Sequence, residues 1–166
     1  MTIFWILTVS YTIHLIATAV WLGGLATLVL VALPALRHNT LSQNQWFALQ
    51  KRLAPWVNGS LVLLLITGFV QMTNDENYAG FMVLDGVWAW AMLLKHVAFV
   101  GMAALTIYLQ FVLHPDMERT AALLHKKPDL AASEQARLQQ REVRLLWLNT
   151  ACALFILFCT AVMTAA

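Results

Sequence analysis

Residues 3–36 read IFWILTVSYTIHLIATAVWLGGLATLVLVALPAL, and the first charged side chain after them is Arg37. A helix needs about 20 mostly apolar residues to cross a hydrocarbon core of about 30 Å. This stretch exceeds that length and leaves room for tilt. It lacks the positive leading segment and short apolar core of a cleaved signal peptide, so it is expected to remain as a membrane anchor. His14 stands in the middle of it.

The chain around this stretch has 166 residues, 61% of them hydrophobic and 11% charged. That length suits a single domain over residues 1–166, and that composition requires lipid around it. Three further apolar runs follow, over about 55–73, 86–113 and 145–165. Residues 41–53 set Trp46, Phe47 and Leu53 among amides and bases, the pattern of an interfacial amphipathic helix, and Pro55 suits the first turn of the second span. Residues 73–85 collect turn-forming Asn, Asp, Glu and Gly. Pro115 marks the exit of the third span. Residues 116–144 are expected to form two helical pieces around Pro128, with Ser133 as a candidate N-cap. No internal repeat is legible. The expected fold is all-α, an integral membrane four-helix bundle.

Orientation follows from the bases near the ends of the spans, because Lys and Arg are retained on the cytoplasmic side. Arg37, Lys51 and Arg52 occupy the first loop, and Arg119, Lys126, Lys127, Arg137, Arg141 and Arg144 the third. The second loop has Asp75, Glu76 and Asp85 and no base. Both termini are therefore expected outside, on the periplasmic side of a bacterial-type inner membrane, with the amphipathic segments cytoplasmic. Trp5, Trp88 and Trp90 would then form an outer aromatic belt, and Trp46, Trp56 and Trp147 an inner one. The net charge of +2 is too small to imply nucleic acid.

Two histidines fall inside spans. At 1.5 Å per residue, His14 and His96 each lie roughly 15 Å below the outer boundary, and the first and third spans run in the same direction. Imidazoles at one depth suit the axial ligation of a haem held between helices. A plain interhelical hydrogen bond is the structural alternative for each. His14 shares its face with Thr18, Trp21 and Gly24, small residues beside an aromatic, which could leave room for a planar ligand or only let helices pack closely.

Lys95 is the charged side chain deepest in any span, at an insertion cost of about 2.5–3.5 kcal/mol. It could snorkel toward the acidic outer loop, neutralise a haem propionate or take the place of His96 at a metal, since neighbours on a helix point about 100° apart. Met92, Met102, Cys152 and Cys159 are soft donors that suit Cu(I), although Met and Cys are also ordinary apolar filling. The two cysteines share one helical face and say nothing of redox compartment. His38, His114 and His125 are expected to be solvated near the cytoplasmic boundary, with a helix-end role open to His114. Nucleophilic triads, phosphate loops and paired intramembrane carboxylates are missing from the sequence, which disfavours hydrolysis and phosphoryl transfer.

The stretch HLIATAVWLGGLATLVLVALPALR, with His14, Trp21, Gly23, Gly24 and Pro34, resembles the first helix of the copper resistance protein D (CopD-like) membrane domain. LLKHVAFVGMAALTIYLQFVLHP resembles the lysine-bearing helix of that family. A weaker resemblance is to the HemJ-type protoporphyrinogen oxidases, whose first-helix histidine and third-helix lysine correspond to His14 and Lys95 and which bind haem b.

The residues and these resemblances lead to an expected haem b-binding, cytochrome b-like redox protein. It would transfer electrons between a quinol and another membrane partner, with His14 and His96 on the iron and Lys95, Thr18, Trp21 and Gly24 around the cofactor. Copper transport or resistance, through a bound copper ion, and HemJ-like porphyrinogen oxidation are the alternatives. A homo-oligomer is left open.

Overall fold

The computed structural model describes residues 2–75, 80, 86–123 and 128–165. Among these residues every regular element is helical. Four helical stretches, Ile3–Arg37, Gln43–Thr73, Gly86–Leu123 and Ala132–Ala165, are long and apolar enough to cross a membrane. Their outer faces carry Leu15, Ile16, Leu30, Leu65, Phe69, Val100, Phe111 and Phe158, all exposed. So many large apolar side chains turned outward would be costly in water and are satisfied by lipid tails. The protein is a multi-pass membrane protein.

The chain divides into two compact units, Met1–Leu84 and Asp85–Ala166. In the first, α1 (Thr2–Ala26) passes through a π-helical turn (Thr27–Ala32) into α2 (Leu33–Arg37), and α3 (Gln43–Thr73) packs back against α1. In the second, α4 (Gly86–Tyr108) passes through a π-helical turn (Leu109–Leu113) into α5 (His114–Leu123), and α6 (Pro128–Ala165) packs back against both. Each unit is thus a helical hairpin.

The π turns explain how prolines survive in the first helix of each hairpin. Proline has no N–H and its ring collides with the carbonyl four residues back, which normally breaks a helix. In the first π turn the Leu33 N–H reaches back to the Leu28 carbonyl, and in the second the His114 N–H reaches back to that of Leu109. Each turn is widened by one residue just ahead of Pro34 or Pro115, and the helix continues beyond it. Thr27 follows His14 at the same interval as Leu109 follows His96. The two hairpins therefore share a plan that residue identities conceal, although no repeat was expected.

Three boundaries differ from expectation. The 41–53 segment does not form a separate surface helix. Ser42 and Gln45 make a reciprocal capping box, with the Gln45 N–H donating to Ser42 Oγ at 3.3 Å and the Ser42 N–H donating to Gln45 Oε1 at 2.9 Å. That cap starts α3, which runs through Pro55 without interruption. Trp46 and Gln50 are buried, so this part of α3 belongs to the packed structure. Pro128 begins α6, as the expected break there requires, but Ser133 lies inside that helix and is no N-cap. Of the expected aromatic belts, Trp5, Trp56, Trp90 and Trp147 are exposed, whereas Trp46 and Trp88 are core residues. Periodicity along α3 and α4 turns those two indoles inward, and burial outweighs interfacial placement.

Glu76, Asp85, His125, Lys126 and Lys127 lie outside the described residues, so of the acidic loop expected to draw Lys95 only Asp75 is among them.

Candidate metal-ligating histidines

His14 stands half-buried on α1, facing α3. Its Nδ1 is 2.8 Å from Thr67 Oγ1. The single hydroxyl hydrogen of Thr67 is committed to the Leu63 carbonyl at 2.6 Å. Thr67 can therefore only accept from His14, which fixes the proton on Nδ1 and leaves the lone pair on Nε2. Gly68 lies under the ring, where a Cβ would come 3.6 Å from His14 Cε1. One turn away, the Ser10 hydroxyl donates to the Thr67 carbonyl at 3.5 Å and the Gln71 amide donates to the Ser10 carbonyl at 3.4 Å. These bonds make a polar seam along an otherwise apolar hairpin.

His96 stands half-buried on α4, and its Nδ1 donates to the Met92 carbonyl one turn back at 2.7 Å. A carbonyl can only accept, so the proton is again on Nδ1 and the lone pair on Nε2. The two intramembrane histidines thus share one tautomer by different means. A histidine that binds a metal commonly has its other ring nitrogen held in this way, by a carbonyl or another acceptor.

The other candidate residues sort themselves by hairpin. Thr18 donates to the His14 carbonyl at 2.8 Å and so binds its own helix. Trp21 is buried at the α1 packing face. Gly24 gives its space to α3, because a Cβ there would come 2.9 Å from Val57 Cγ2. The small residue at 24 thus serves close helix approach. Lys95 is half-buried in the second hairpin and within electrostatic reach of Cys159, which the antiparallel packing of α4 and α6 brings level with it. Beside them lies an apolar pocket of about 440 Å³, walled by Trp90, Ala91, Leu94, Phe155, Phe158 and Cys159. Met92 and Met102 are buried in α4, and both cysteines carry free thiols.

Among the described residues, no three His, Cys, Asp or Glu side chains converge as a metal cluster. Sequence reasoning missed Thr67 and the neighbour of His114. His114 was expected to be solvated, yet it is largely buried and its Nε2 lies 3.3 Å from Oε1 of the buried Glu142. A signal did exist, since Leu138, Glu142, Leu146, Asn149 and Ala153 recur at three- and four-residue spacing and are all buried. A carboxylate inside such a stripe must face inward.

The family profile for copper resistance protein D matches residues 47–163. The chain belongs to the copper resistance protein D family. The match covers most of α3 and all of α4, α5 and the described turns up to Met163 of α6, and so includes Lys95 and His96. His14, in α1, lies outside it. No curated protein and no solved structure shows significant similarity to the chain. Within the family match lie His96 and the sulfur-bearing Met92, Met102 and Cys159, on α4 and α6.

Proposed function

We propose that this protein handles copper ions within the membrane, as a transport or resistance component, with His14 and His96 offering Nε2 as nitrogen ligands. Copper is the cargo and not a resident cofactor. The observation that carries the reading is the common tautomer of the two histidines, in a chain of the copper resistance protein D family. Cu(I) favours imidazole and sulfur donors at low coordination number, and Met92 lies one turn from His96. Neutral ligands of this kind bind and release a soft cation without adding a buried charge. On this reading Lys95 offers no donor while protonated, and Cys159 beside it is the thiol best placed to assist.

The same tautomer suits a second reading. A histidine whose Nδ1–H is fixed by an acceptor is a competent axial ligand for haem iron. Haem b would then give the protein a one-electron couple for exchange with a quinol or another membrane partner, with Lys95 as counter-charge to a propionate. HemJ-like porphyrinogen oxidation would use the same residues.

One preparation separates these readings. The detergent-purified protein, loaded with Cu(I) and assayed by competition with a chromogenic chelator, is expected to bind copper, and His14→Ala and His96→Ala each to weaken binding at least tenfold. Its absorption spectrum is expected to lack a porphyrin band. A reduced spectrum with haem bands that disappear in the same variants would reverse the assignment. Absence of saturable copper binding in folded protein would remove it.

A further inference from the structure

Charge in the second hairpin ends abruptly. On α6 the last charged side chain is Arg144, and residues 145–165 contain none. Arg144 therefore marks the level at which α6 enters the hydrocarbon. Arg137, Arg141 and Arg144 follow one another at four- and three-residue spacing, so they share one face of α6 at that boundary. All three are exposed. One turn deeper the same side of the helix continues with Trp147 and Leu148, which are also exposed. A basic stripe thus runs directly into an apolar one.

The neighbouring carboxylates do not cancel this stripe. Glu142 turns inward toward His114 and is 2% exposed. Glu134 reaches Arg137 at 3.7 Å, an exposed pair of little weight. Arg141 lays its guanidinium over the ring of Tyr108, 5.2 Å from the ring centre, so α4 holds it in place. Neither Arg141 nor Arg144 meets a carboxylate among the described residues. Stacking uses the face of a guanidinium and leaves its N–H edge for bidentate contact with an oxyanion.

We propose that Arg141 and Arg144, with Tyr108 beneath the first, form a headgroup site for an anionic phospholipid whose acyl chains lie along Trp147 and Leu148. A phosphodiester at the level of Arg144 and hydrocarbon one turn deeper match the two halves of the stripe in their order. A soluble anion gains nothing from the apolar half. The distribution of Lys and Arg predicts this end to face the cytoplasm, where anionic lipids give the leaflet a negative surface potential. The site uses neither His14, His96 nor Lys95, and it stands or falls apart from the copper reading.

Native mass spectrometry of the full-length protein in detergent resolves bound lipids one by one. The probes are phosphatidylglycerol and phosphatidylcholine with the same acyl chains, which both carry a phosphate but differ in net charge. Phosphatidylglycerol is expected to bind more tightly. Arg141→Gln and Arg144→Gln should each weaken the first bound phosphatidylglycerol about fivefold, the effect of removing one base at a membrane surface. Tyr108→Leu should weaken it and Tyr108→Phe retain it. Arg119→Gln removes the same charge from α5, where Arg119 already lies 3.8 Å from Asp116, and should leave binding unchanged. Both arginines of the site are exposed, so the folded protein survives their replacement, which thermal denaturation verifies. Equal affinity for the two lipids would overturn the proposal. Equal weakening by Arg119→Gln would reduce the preference to diffuse charge and overturn it as well. Displacement of the lipid by glycerol 3-phosphate would do the same, because the site would then take a free phosphate and not a lipid.

Discussion

His14 donates from Nδ1 to the hydroxyl of Thr67 at 2.8 Å, and Thr67 passes its own hydrogen to the Leu63 carbonyl. The chain of donors runs one way, so Thr67 orients the imidazole and commits its second nitrogen to the lone-pair role. Removing a partner of this kind typically costs 10–100-fold in metal affinity. Thr67→Val is therefore expected to weaken Cu(I) binding by about tenfold or more and Thr67→Ser to retain it, as read by chelator competition. Equal affinity in the native and Thr67→Val proteins would detach the hydroxyl from the site.

Gly24 and Gly23 should respond oppositely to substitution. Gly24→Leu drives a side chain into Val57 and is expected to destabilise the first hairpin by about 1–3 kcal/mol, the usual cost of overpacking. Nothing lies within 4 Å of a Cβ built on Gly23, so Gly23→Ala relieves a flexible helix position and should gain roughly 0.5–1 kcal/mol. Thermal denaturation in detergent measures both. A loss of stability in Gly23→Ala would show the helix propensity argument to fail in this setting.

Trp46 has no exposed surface although it sits in a segment rich in amides and bases. Trp46→Ala is expected to cost about 3–5 kcal/mol, against little for Trp56→Ala, whose indole is exposed. If Trp46 were only an interfacial anchor, the two variants would melt together.

The distribution of Lys and Arg predicts both termini outside. A carboxy-terminal phosphatase fusion, active only outside the cytoplasm, should therefore be active, and one inserted after Asn39 inactive. The reverse pattern would invert the assigned topology. His114 and Glu142 would then lie near the outer surface.

The four spans were legible because length and apolarity alone decide whether a helix can cross a bilayer, and residues 3–36 satisfy both without help from neighbours. The beginning of α3 was not. Pro55 imitates a helix start, and the true start depends on the reciprocal bonds of Ser42 and Gln45, whose spacing is common in loops as well. His14 and His96 could be singled out as intramembrane titratable residues, but their tautomers could not, since these depend on Thr67 across the hairpin and on the Met92 carbonyl. Glu142 escaped notice because it lies among Arg137, Arg141 and Arg144 in a polar stretch. Only the buried leucines on either side, Leu138 and Leu146, reveal its direction.

The two π turns carry a geometric consequence for reading such helices. An extra residue in one turn slips the angular phase of everything beyond it by about 100°. The His14 half of its helix and the Pro34 half therefore obey different helical wheels, as do the His96 and Pro115 halves of theirs. A wheel drawn straight through Thr27–Ala32 or Leu109–Leu113 would assign inward side chains to lipid and outward ones to the core. Deletion of one residue in either turn would act like turning a key, rotating the histidine relative to the basic end of its own helix with no change in composition.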